Sequence, residues 1–233
     1  MKMEPISLIA KRLIQHNRVF VFLFILDLLI VLAHIFLGKE NHFFHMDFEQ
    51  NLPTYYQSLK LIGFGCLFLL MGVSKRIPLL IKSFVIPLAL SLTFWGLDEL
   101  LQIHENIYRI FELFDLFHPS KIVEASMRMG YRSSLWILYY IPVIFIFIFW
   151  SGYWLRYLQS KMKSVVWMLA LASFCLFMVL LAEIVSSTGT YSESNYFWLI
   201  TLEEMAEMFF ASLLILVGKN MLQADESNSQ SYK

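Results

Sequence analysis

The chain lacks what a disulfide-braced domain or a cysteine-clipped metal domain would need. Among its 233 residues are two cysteines, Cys66 and Cys175, and both fall inside apolar runs. No disulfide framework and no C-x-x-C metal clip is therefore available, and both read as small buried apolar side chains. Charge is scarce too, at 15% of residues and a formal net charge of zero. The basic residues come as pairs at the ends of apolar runs rather than as a stripe, which argues against nucleic acid as a partner. Internal repeats, glycine-rich loops and a separable soluble domain are all missing.

Named catalytic motifs are missing as well. Without H-E-x-x-H there is no zincin site. Without E-x-x-H the ligand pattern of ferritin-like di-iron bundles is not met, although a carboxylate cage between helices is close in spirit. There is no G-x-S-x-G elbow. The run E-E-M-A-E at 203–207 does not complete the E-E-x-x-x-R motif of CAAX-type intramembrane proteases, because position 208 is Met and no later histidine-bearing helix follows. The paired late histidines of alkaline-ceramidase-like hydrolases have no counterpart either.

What the chain has is apolar length: 58% of residues are hydrophobic and 17% aromatic. A soluble domain of this size could not bury so much apolar surface, and a spanning helix needs about 20 apolar residues. Six windows qualify, at 19–38, 58–74, 83–104, 134–155, 165–186 and 195–217. The fold class expected is an all-α integral membrane protein, with about six transmembrane helices in one bundle over 19–218. Pro87 and Pro142 lie inside the third and fourth windows and are expected to bend them. The N-terminal apolar stretch is too long for a signal-peptide core and lacks a small-x-small cleavage site. Residues 1–18 read instead as a basic amphipathic segment ahead of a first anchor. The run E-N-I-Y-R-I-F-E-L-F-D-L-F-H at 105–118 has helical apolar spacing and suggests a helix lying on the membrane surface. The polar tail 219–233 is expected to be disordered.

Lysine and arginine placement predicts orientation. With six spans both termini share a side, and that side carries twelve of the eighteen basic residues. Both termini are thus expected to be cytoplasmic, in a bacterial inner (plasma) membrane. Fourteen of the eighteen acids fall in the outer half or outside, with five of the six histidines. The positive-inside rule does not require this. An ionised carboxylate within hydrocarbon costs several kcal/mol unless partnered, so such acids are candidates for function.

Helical phase tests whether they converge. At about 100° per residue, Asp98, Gln102 and Glu105 share an arc of about 60°, with Ser91 on the same line. Glu99 widens that arc, whereas His104 lies off it and needs a local unwinding to join. Glu203, Glu204 and Glu207 share one face of the last window, Glu183 closes the fifth, and Asp27 and His34 lie a heptad apart in the first. The simplest packing surrounds a polar pocket with spans one, three, five and six and leaves spans two and four facing lipid. Lys60 is then a helix-end residue that snorkels, and the tyrosines and tryptophans, Tyr140 and Tyr196 among them, form interface belts.

Close carboxylates repel one another, so a cation or shared protons must hold them together. Oxygen ligands with one or two imidazoles suit a divalent metal ion such as Zn, Fe or Mn. The metal candidates are His34, Asp98, Glu99, His104, Glu105, Glu183, Glu203 and Glu207, and the catalytic candidates are Asp98, Glu99 and Glu207. The expected function is a metal-dependent membrane enzyme acting on a lipid or lipid-linked substrate, with a neighbouring carboxylate as general base. The alternatives are a proton- or cation-coupled transporter and a non-catalytic assembly partner. The lipid bilayer is the expected environment, with a homo-oligomer or a membrane partner protein left open.

Overall fold

The computed structural model describes residues 17–48, 50–74, 77–104, 106–107, 136–159, 162–188 and 191–230. Among these the chain is helical and holds no strand. Six long helices follow one another: α1 (Asn17–Ala33), α2 (Leu52–Gly72), α3 (Leu79–Leu101), α4 (Trp136–Leu158), α5 (Lys163–Thr188) and α6 (Glu193–Gln230). The N-terminal segment up to residue 16, Glu49, Glu105 and most of the surface helix expected at 105–118 lie outside the described residues.

Four stretches are long and apolar enough to cross a membrane: Arg18–Gly38, Leu79–Leu101, Tyr139–Leu158 and Lys163–Ser186. Their outward faces stay apolar, as Phe36, Phe149 and Trp167 show by being about three-quarters exposed. In water such a belt would drive aggregation, whereas in a bilayer it is the solvated face. The molecule is a membrane protein on this ground.

α2 is not the lipid-facing helix its apolar window suggests. Leu61 and Phe68 are fully buried within it, and glycines let its backbone approach α3 closely. A Cβ at Gly65 would collide with Thr93 Oγ1 and the Ala89 carbonyl, and one at Gly96 would sit 2.9 Å from Leu61 Cβ and the Ser58 carbonyl. Small residues at helix contacts serve this purpose in membranes, where packing rather than water drives association. Gly96→Val should therefore force α2 and α3 apart and lower stability by about 1–3 kcal/mol, measured as a lower midpoint of unfolding in detergent.

The start of α2 also lies earlier than its apolar window implies. The Asn51 side chain accepts from Thr54 N at 2.8 Å, and Pro53 occupies the first turn. Both are helix-start devices. The Asn51 amide donates in turn to the carbonyls of His45 and Phe48, tying the preceding loop to the cap. Two turns are thereby added, and Lys60 moves from the expected helix end into the bundle.

α4 meets the others through aromatic rings. Trp150 stacks on Phe84 at 4.7 Å and Trp154 meets the same ring edge-on at 5.0 Å, while Phe147 touches Phe210 of α6 at 5.5 Å. α3 and α4 run on through Pro87 and Pro142. α6 does not stop where its apolar window ends. Lys219, Met221 and Leu222 are buried and Asn220 donates to Met168 Sδ at 3.1 Å, so the expected disordered tail begins as packed helix and stays helical to Gln230.

Candidate functional site

A cavity of about 620 Å³ lies between α3, α4, α5 and α6, not between the helices that the acid pattern selected. Its walls change character along its length. Where α3 and α5 end and α4 and α6 begin, carboxylates line it: Asp98, Glu99, Glu183, Glu203, Glu204 and Glu207. Deeper in, Leu88, Phe147, Trp150, Leu176, Val179 and Leu214 form an apolar slot. Val143 and Ile146 of α4 line that slot while remaining 52% and 68% exposed, so it opens sideways onto the apolar belt.

The end of α3 brings the first group together. Gln102 adopts a left-handed conformation (φ 54°, ψ 42°) and stops the helix after Leu101. The change of direction carries His104 back over the last turn, where its Nδ1 lies 3.3 Å from Asp98 Oδ2. Tyr140 of α4 donates to Asp98 Oδ1 at 2.8 Å. Asp98 is itself buried, so these two partners replace the water it has lost. An imidazole facing a carboxylate that a phenol also holds is the arrangement of an oriented acid–base group.

Trp95 links α3 to α6. Its indole N–H lies 3.2 Å from Glu99 Oε1, one turn along the same helix, and 3.0 Å from Glu207 Oε1 across the cavity. One donor is thus shared by two carboxylates. Glu203, one turn before Glu207, is 8% exposed, and its Oε2 has no hydrogen-bond partner among the described residues. Asp47 reaches the cavity from the loop after α1 and accepts from Tyr196 at 3.2 Å. No lysine or arginine lines the cavity among the described residues.

Of the candidate residues, Asp98, Glu99, His104, Glu183, Glu203 and Glu207 face this one cavity, and Glu105 lies outside the described residues. Among the described residues no three His, Cys, Asp or Glu side chains are placed to hold a metal ion. His34 belongs to a different assembly. It opens a π-helical turn, His34–Gly38, and stacks on Phe197 at 4.4 Å. Its Nδ1 accepts from Met46 N at 3.2 Å, which leaves Nε2–H to donate to Thr201 Oγ1 at 3.0 Å. Both nitrogens are engaged in holding α1, the following loop and α6. Beside it, His45 titrates below the ordinary 6.5: burial pushes it down, and Asp47 only partly opposes that.

Asp27 turns away from the cavity as well. It pairs with Lys60 at 2.8 Å, and accepts from Tyr56 at 2.7 Å and from Ser212 at 2.6 Å. Lys60 donates further to Ser212 Oγ and the Met208 carbonyl, both at 3.2 Å. Sequence reasoning gave no part in the site to Trp95, Tyr140 or Tyr196. The tyrosines looked like interface belts, yet each donates to a carboxylate. The signal for Trp95 was its spacing of three and four residues from Asp98 and Glu99.

The family model for a domain of unknown function (DUF8692) matches residues 19–217. This chain belongs to that family. No curated protein and no solved structure matches it.

Proposed function

We propose that this member of the DUF8692 family is a membrane-embedded enzyme that acts on a lipid or lipid-linked substrate entering its cavity from the side. One observation carries the reading: a single cavity joins a carboxylate-lined end to an apolar slot that opens at α4. An amphiphile has this division of polarity, with a head group for the acids and a chain for the slot. Within the head-group end, His104 takes and returns a proton while Asp98 and Tyr140 fix its orientation.

The proposed topology has six spans with both termini cytoplasmic, which puts the acid end at the outer leaflet of a bacterial inner membrane. Support for a transporter is thinner. The lining carboxylates gather at one end of the cavity, whereas a coupled path needs polar groups toward both sides.

The test is turnover. Purified protein in nanodiscs of total membrane lipid should consume one lipid class, followed by mass spectrometry over time. Val179→Trp, which fills the slot, should reduce that consumption at least tenfold. Lipid consumption at the same rate in the filled variant would remove the cavity from the reaction. Exchange of bound lipid without a chemical change would make the protein a carrier instead.

A further inference from the structure

We infer that the head group received at the acid end is a cation, an organic ammonium carried by the amphiphile itself. The inference rests on the lipid-site reading and names its substrate class.

The cavity wall presents carboxylates from three helices and, among the described residues, no lysine or arginine. Lys60 of α2 is already committed: its donors go to Asp27, Ser212 and the Met208 carbonyl. A phosphate or carboxylate head group would meet the carboxylates of α3, α5 and α6. A neutral head group would leave the acids to share protons among themselves, whereas a cationic one offsets their charge directly.

Glu203 makes the demand specific. It is 8% exposed, it lines the cavity, its side chain is hydrogen-bonded with another carboxylate (Glu183), and its Oε2 has no partner among the described residues. A buried acceptor without a donor costs free energy that a ligand can recover. An ammonium brings three N–H donors and a full charge on a flexible stem. A metal ion would need several oxygens converging at about 2.0–2.6 Å, and no three side chains among the described residues are so placed. Trp95 and Tyr140 line the same chamber, and such rings attract ammonium groups within about 6 Å.

Native mass spectrometry of the full chain released from detergent can read this, with dodecylamine, dodecanol and dodecyl phosphate as probes at equal concentration near pH 7. Dodecylamine should be retained at least tenfold better than dodecanol, and dodecyl phosphate least. Glu203→Gln should cut dodecylamine retention about tenfold and leave dodecanol retention unchanged. Equal retention of amine and alcohol, both lost in Val179→Trp, would overturn the cationic head group while leaving the lipid cavity intact. Loss of all three probes in the wild type would remove the cavity reading itself. A divalent metal bound stoichiometrically in the purified protein and lost in Glu203→Gln would also overturn the inference, because the charge would then be balanced without the substrate.

Discussion

Truncating Lys60 to alanine should lower the stability of the bundle by about 3–5 kcal/mol, the range for a buried ion pair that loses one partner. Asp27 is fully buried and Lys60 is 5% exposed, so neither charge has water to fall back on. With Lys60 gone, Asp27 keeps Tyr56 and Ser212 as donors but no counter-charge. The pair also ties three helices together, since Lys60 stands on α2, Asp27 on α1, and Ser212 with the Met208 carbonyl on α6. Denaturant titration in detergent, followed by circular dichroism, measures the loss. The double variant Asp27→Leu with Lys60→Met should recover at least half of it, because removing both charges removes the uncompensated one. A single-variant loss below about 1 kcal/mol would mean that the pair is reached by water and is worth no more than a surface pair.

That network also marks where the sequence was readable and where it was not. The acids' gathering at one end of the bundle could be read from span boundaries and Lys/Arg placement, since depth along a helix depends only on counting residues. Which acids share a cavity could not, because this depends on which helices touch. Asp27 and His34 share a face of the first span, but that face meets Lys60 and Thr201 rather than the cavity. The error over Lys60 has a local cause. An apolar window begins where the apolar residues begin, whereas the helix begins at its cap, Asn51, two turns earlier. The glycines at 65, 72 and 96 carried the α2–α3 contact in plain view, but hydropathy gives a missing side chain no weight. His104 is the converse case. Its position off the Asp98 face required an unwinding, and the left-handed Gln102 supplies it.

Asp98→Asn should lower turnover of the lipid substrate by about 10²–10⁴-fold, the scale of a lost acid–base contribution. The side chain keeps its size and can still accept from Tyr140, so folding is largely preserved. What changes is the face toward His104. The carboxylate oxygen 3.3 Å from Nδ1 becomes an amide, which no longer holds a protonated imidazole. Asp98 acts here as a positioning residue, so the loss should fall on kcat with KM nearly unchanged. Tyr140→Phe removes one of the two partners and should cost less, on the order of tenfold. Glu203→Gln should show the opposite split, raising KM about tenfold with a smaller effect on kcat, because its free oxygen is assigned to the head group rather than to the proton. If Asp98→Asn and Glu203→Gln instead lowered stability together and left kcat alone, the carboxylate end would be a packing device between α3, α4 and α6, and the acid–base role of His104 would fall with it.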